Sequence, residues 1–247
     1  MERKIVAIIQ ARTTSTRLPN KVLMKLGGKS IIENIVDRVS HSKHINDLVV
    51  ATSIEKSDDT IETLLQDAGV NVFRGSLNNV LERFYYCAEK FNADIVIRFT
   101  ADNALIAPEL IDAAINAFLG INVDYLYYKE KLPLGMGIEI FTFNALKRAF
   151  SEAQDAECLE HVTPYIRENP QIFKVFKYKD KNDEDNSGLR FTIDTWQDYD
   201  FVSKVYDSFD RNTFSYSEIL KLVMAHPEWI KINHDVVQNE LEYNGEA

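Results

Sequence analysis

Apolar positions fall along this chain in two alternating rhythms, short β-branched runs and stretches with a three-to-four residue spacing. Lys4 to Ile9 predicts a first strand, followed by a polar loop from Gln10 to Lys21. Ser30 and Glu33 form a capping-box pattern ahead of Ile35, Val36 and Val39, which predicts a helix over 30–40. Asp47 to Thr52 predicts a second strand. Ile61, Leu64, Leu65 and Ala68 then place a helix over 58–68, with Gly69 as its stop. Val70 to Phe73 reads as a third strand, Asn79 to Phe91 as an amphipathic helix, and Asp94 to Phe99 as an interior strand delivering Thr100-Ala101-Asp102 to its end. Pro108 suits the first turn of the next helix, closed by Gly120. Strand and helix alternate four times, which predicts an α/β protein with a mostly parallel sheet flanked by helices.

The second half is less regular. Val123 to Tyr128 and Gly137 to Phe143 read as strands around a Lys-Leu-Pro-Leu-Gly loop. Helices are predicted over 143–153 and 157–169, the second restarting at Thr163-Pro164. Ile172 to Tyr178 alternates like a strand, and the mixed-charge run from Lys179 to Gly188 reads as a mobile loop. Leu189 to Ile193 predicts another strand ending in Asp194-Thr195. Helices over 196–209 and 216–225 follow, then an acidic tail expected to fray. With no internal repeat and no long linker, a single domain over 1–247 is expected.

Composition narrows the function classes. The chain has 247 residues, 45% of them hydrophobic and 27% charged, with a net charge of -10 and a pI near 5.1. That balance argues against general binding to nucleic acid or to an anionic membrane, both of which would repel it. No apolar run approaches a membrane span, and the one at the N-terminus is too short for a secretion signal. Cys87 and Cys158 have no CxxC spacing and read as reduced thiols, so a cytoplasmic location is expected.

Against this acidic background, Arg12, Arg17 and Lys21 share one loop with Thr13, Thr14, Ser15 and Thr16, directly after the first strand. Ligands of open α/β sheets bind beyond the carboxyl ends of strands, and such a loop suits a polyanion like a nucleoside triphosphate. Asp102 has the strand-end placement that can hold Mg2+ against phosphates, or it caps a turn. Asp194 stands equally as a second metal carboxylate or a helix cap. Gly27-Gly28-Lys29-Ser30 lacks the earlier glycine of a phosphate-binding P-loop, with Leu23 in its place. Asp183-Glu184-Asp185 reads as solvated surface, and His41 and His44 as helix-end residues.

These motifs together resemble the spore-coat polysaccharide biosynthesis protein F family, cytidylyltransferases related to the CMP-Kdo and CMP-sialic acid synthetases. The resemblance covers roughly residues 5–205. It is carried by Ile8-Ile9-Gln10-Ala11-Arg12, Ser15-Thr16-Arg17-Leu18-Pro19, Lys21-Val22-Leu23 and Val49-Val50-Ala51-Thr52-Ser53. Phe73-Arg74-Gly75-Ser76 with Val80-Leu81-Glu82-Arg83, Arg98-Phe99-Thr100-Ala101-Asp102, Glu160-His161-Val162-Thr163-Pro164-Tyr165-Ile166 and Arg190-Phe191-Thr192-Ile193-Asp194-Thr195 continue it.

The resemblance implies a Rossmann-like nucleotidyltransferase fold, akin to the GT-A fold, with a nucleotide-binding half over about 1–120 and an acceptor-binding and dimerisation half over about 121–235. It implies CTP bound by Gln10, Ala11, Arg12, Ser15, Arg17, Lys21, Thr52, Arg74 and Thr100, with Arg12, Lys21 and Asp102 catalytic. Asp102 and Asp194 would hold Mg2+, and Glu139, His161 and Arg190 would meet a small anionic acceptor. His161 has the alternative of a bond within the fold or across a homodimer interface. Arg74 and Arg83 have the alternative of pairing with nearby carboxylates. The chain departs from the family pattern where Thr14 replaces a glycine, where Asp102 is followed by Asn103-Ala104, and where only Glu139 survives of an acidic run. A glycosyltransferase on a related fold and a nucleotide-binding module without turnover are the competing readings.

Overall fold

The computed structural model describes residues 3–179 and 184–238. Its first strand, β1 (Ile5–Gln10), sends Ile5, Ala7 and Ile9 into one core and Val6 and Ile8 into another. Burial on both faces is why the run is apolar without alternation. A two-stranded hairpin follows, β2 (Lys25–Leu26) and β3 (Lys29–Ser30). Its turn uses Gly27 and Gly28 at φ +54° and +85°, which accounts for the paired glycines.

The predicted alternation is present: α1 (Ile31–Ser40), β4 (Asp47–Ser53), α2 (Asp59–Asp67), β5 (Asn71–Gly75), α3 (Val80–Lys90), β6 (Ile95–Thr100) and α4 (Pro108–Gly120). The local signals act as read. Ser30 and Glu33 close a reciprocal capping box, Asn79 caps α3, and Pro108 opens α4. Then come β7 (Tyr125–Tyr128), β8 (Ile138–Thr142), α5 (Phe143–Glu152), α6 (Ala156–His161), α7 (Pro164–Arg167), β9 (Val175–Lys177), α8 (Trp196–Asp207), α9 (Tyr216–Ala225) and α10 (Pro227–Asn233). Seven strands form one sheet in the order β5-β4-β1-β6-β8-β7-β9, in which β8 alone runs against the others.

Several expectations are corrected. Leu189 to Ile193 is extended but makes no strand. One bridge joins Leu134 to Arg190, and Ile193 N–H then bonds the Asp102 carbonyl at 2.9 Å. The predicted 157–169 helix is broken at Val162 into α6 and α7, restarting at the proline. The short helix α10 was not predicted at all. Of the expected mobile loop, 180–183 lie outside the described residues, with Asp183, and so does the tail from 239 onward.

Arg38 on α1 is fully buried. It donates to the carbonyls of Ile106 at 2.7 Å, Phe214 at 2.8 Å, Asn212 at 3.0 Å and Leu105 at 3.3 Å, and its guanidinium lies over the Phe214 ring. It thereby ties the segment that follows Asp102 to the loop before α9.

Candidate active site

The strand order decides where a ligand goes. From β1 the chain moves outward through β4 to β5, then crosses back to place β6 on the other side of β1, with Gln10 opposite Thr100. The two polar segments after these strands therefore emerge side by side, at the switch point where α/β sheets bind ligands.

In the first segment Thr13 is the hub. Its N–H and hydroxyl both donate to Asp58, and its carbonyl accepts from Ser15 and Asn20 N–H at 3.0 and 2.9 Å. Thr14, where the family pattern has glycine, has no positive φ. The left-handed position is taken instead by Asn20 at φ +58°, a residue type that tolerates it, and the turn presents Lys21.

Lys21 is nearly buried and bridges three parts of the chain. Its ammonium donates to the Ile193 carbonyl at 2.6 Å, Asp194 Oδ1 at 2.9 Å and Asp102 Oδ2 at 3.4 Å. Thr100 Oγ1 donates to the other oxygen of Asp102 at 2.5 Å. Arg17 and Arg190 each reach Asp194 Oδ2 at 3.1 Å. Both carboxylates thus converge on one cation beyond the carboxyl ends of the central strands, although 92 residues (194 − 102) separate them in sequence. Gly135 makes this possible. At φ +100° it lies so close to the 189–193 segment that a Cβ there would stand 2.6 Å from Thr192 N.

Arg190, expected to meet the acceptor, supports the carboxylate pair in this structure. Its guanidinium bonds Asp198 at 2.7 and 3.1 Å, and Asn233 of α10 donates to both Asp198 Oδ1 and the Arg190 carbonyl at 3.0 Å. Asp198 is fully buried. Burial alone would raise its pKa, but hydrogen bonds from Arg190 and the Asp194 N–H outweigh that and hold it below the usual carboxylate range.

A second polar chain runs along β6 and β8. Arg98 donates to Gln10 at 3.0 Å and pairs with Glu139, its cross-strand neighbour. Glu139 also accepts from Tyr125 at 2.5 Å and Thr163 at 2.8 Å. Burial pushes its pKa up, yet the Arg98 charge and these hydrogen bonds bring it below the ordinary value. Val162, at φ +71° with a 2.8 Å bond from Thr163 N–H to the His161 carbonyl, forms a strained γ-turn that sets His161 and Thr163 around this group. His161 is half-buried, and desolvation lowers its pKa despite nearby Glu160. Arg12 reaches across the crevice to Glu160 at 3.4 Å, an exposed pair of small energetic weight that leaves the guanidinium free to swing.

Arg74 takes the carboxylate-pairing alternative: it bonds the Ser53 and Glu55 carbonyls and pairs with Asp59 and Glu62, bracing the end of β4. Thr52 is fully buried beneath the loop, as Ala11 nearly is. The sequence reading missed Asp58, Asp198 and Asn233. Asp198 carried one usable signal, its place three residues after Thr195, where the two close a capping box.

A family model described as cytidylyltransferase matches residues 6–246. The chain belongs to the cytidylyltransferase family. This cytidylyltransferase is 42% identical to an uncharacterized protein of Methanocaldococcus jannaschii, the match covering 95% of this chain and 96% of that one. It is 36% identical to the spore coat polysaccharide biosynthesis protein SpsF of Bacillus subtilis, over 91% and 95% of the two chains. Among solved structures, a cytidylyltransferase from Leptospira borgpetersenii superposes with a TM-score of 0.88 at 33% identity, covering 98% and 100%. The fold is that of the nucleotidyltransferases. No helix among the described residues is long and apolar enough to cross a membrane.

The depressed carboxylates of this cytidylyltransferase set its acid response. Asp58, Glu139 and Asp198 all have folded pKa values below ordinary, so their stabilisation is present above the unfolded value of about 4 and is lost as pH falls below it. The melting temperature is expected to fall slightly between pH 7 and 5, where the unfolded chain protonates His161 more readily than the folded one, and to drop further below pH 4. An equal melting temperature at pH 3 and pH 6 would contradict this.

Proposed function

We propose that this enzyme transfers CMP from CTP to an acidic sugar or phosphorylated small molecule, releasing pyrophosphate, for surface glycan assembly. The observation that carries the reading is the convergence of Lys21, Arg17, Asp102 and Asp194 beside the loop that follows β1. Lys21 and Arg17, with Arg12 on the far side, supply the positive charge for a triphosphate. Asp102 and Asp194 offer hard oxygen donors at one point. Among the described residues no third carboxylate, His or Cys joins them. Two carboxylates completed by phosphate oxygens suit Mg2+, which keeps water and phosphate in its shell, better than an all-protein cage would.

When bound there, the metal would neutralise charge developing on the phosphates. The chain's own residues position and hold. Lys21 would move between carboxylates and phosphate, Arg98 and Glu139 would orient acceptor hydroxyls from the second polar chain, and neutral His161 offers a proton acceptor. Such transfer depends mainly on alignment and charge stabilisation. The ordinary backbone at Thr14 weakens the reading of a binding module without turnover. A homodimer is the assembly expected from the resemblance, checked by sedimentation velocity. Both thiols are buried and free, which accords with a reducing cytoplasm.

The test is pyrophosphate release with CTP, Mg2+ and a panel of sugar acids and phosphorylated small molecules, with UTP, ATP and GTP as controls. CTP-specific release is expected, and Asp102→Asn should abolish it while leaving the circular dichroism unchanged. Release with another nucleotide but not CTP, or CTP binding with no release for any acceptor, defeats the reading.

A further inference from the structure

We infer that Asp58 is a positioning residue for the nucleotide loop, a buried carboxylate that latches Thr13 and so sets where Arg12, Ser15 and Lys21 stand. The inference rests on the proposed nucleotide role of that loop. Asp58 occupies the N-cap position of α2, where an aspartate ordinarily accepts from the first helical N–H groups. It makes no such bond. Its side chain turns inward and is fully buried, with Oδ1 accepting from the Thr13 N–H at 2.8 Å and the Thr13 hydroxyl at 2.7 Å. The other oxygen accepts from the Ser53 hydroxyl at 2.5 Å and the Ser53 N–H at 3.3 Å.

The carboxylate therefore joins the end of β4 to the loop after β1 with four donors, two from each. A cap given up for contacts 45 residues away in sequence is unexplained by the helix itself. It is explained by the loop. The Thr13 carbonyl accepts from both Ser15 and Asn20, so fixing this one residue closes the 13–20 segment and places its cations. Burial would push the Asp58 pKa up, but the Ser53 and Thr13 hydrogen bonds keep it low, so the latch is charged at neutral pH. Its charge also opposes the repulsion between Arg12 and the buried Arg83. A hydroxyl side chain at position 13 is needed for this latch, because its hydroxyl and N–H reach the same oxygen.

The experiment compares Thr13→Val, Thr13→Ser and Asp58→Asn. Valine keeps the size and the N–H but loses the hydroxyl, serine keeps both donors, and asparagine turns an amide donor toward Ser53. Amide hydrogen exchange on the ligand-free protein reads the loop directly, and CTP titration reads its consequence. Expected results are exchange at Ser15 and Asn20 at least tenfold faster in Thr13→Val and Asp58→Asn, and a CTP dissociation constant raised about tenfold. The KM of the acceptor should stay unchanged, and Thr13→Ser should stay within twofold of the parent. If Asp58→Asn fails to fold, the valine and serine pair still decides. Parent-like exchange or parent-like CTP binding in Thr13→Val overturns the latch. If the parent itself binds no CTP, the proposed function falls, and the exchange measurement alone decides whether Asp58 holds the loop.

Discussion

Lys21→Met is expected to lower turnover with CTP by about a thousandfold while leaving the fold intact, the scale seen when a preorganised donor is removed from developing charge. Methionine matches the length and apolar stem of lysine, so the site keeps its packing and loses only the ammonium. Without it, Asp102 and Asp194 face one another with less compensation. Asp194 keeps Arg17 and Arg190, whereas Asp102 is left, among the described residues, with the Thr100 hydroxyl. The triphosphate would lose the cation best placed to follow charge as pyrophosphate leaves. Lys21→Arg should not rescue, because a planar fork cannot reproduce three donations radiating from one nitrogen. The measurement is pyrophosphate release at saturating CTP. A methionine variant retaining a tenth of the parent rate would remove Lys21 from the chemistry.

Arg38→Leu is expected to be the most damaging single change to stability away from the site, at about 3–5 kcal/mol. The guanidinium is fully buried, donates to four backbone carbonyls and lies over the face of Phe214. Desolvation lowers its pKa, although the nearby Tyr206, Glu109 and Asp37 act the other way. Leucine would leave the carbonyls of Leu105, Ile106, Asn212 and Phe214 without this donor in a dry environment, each a costly orphan. In a chain of this size the change corresponds to a fall in melting temperature of roughly 6–20 °C. Urea denaturation should show a lower midpoint with the slope unchanged. A midpoint within the error of the parent would mean that the two loops hold each other without Arg38.

Both expectations concern residues whose importance was unevenly visible beforehand. Lys21 stood out because a cation in a polar loop after a buried strand is conspicuous in any reading. Arg38 did not, since an arginine in an amphipathic helix is ordinarily solvated, and only its neighbours show that it points inward. Arg74 was legible only as two alternatives. It follows a strand, as a ligand-binding cation would, yet Asp59 and Glu62 on α2 take its guanidinium. The Arg190 partner Asp198 was not visible, because it reads only as a helix residue until its burial is seen.

The sequence by itself determined the main strands and helices of the first half, though not the β2–β3 hairpin, and the caps of α1 and α4, because these depend on residues within three or four positions of one another. It also determined the family, since ordered motifs across the chain constrain it more than any one of them. The tertiary structure alone decided which carboxylates share a cation. Lys21 lies 81 residues from Asp102 and 173 from Asp194, and their meeting depends on strand order, on a glycine without a Cβ at position 135, and on an extended segment that never becomes a strand. Contacts at such separations are fixed by how whole layers pack, which no local pattern encodes.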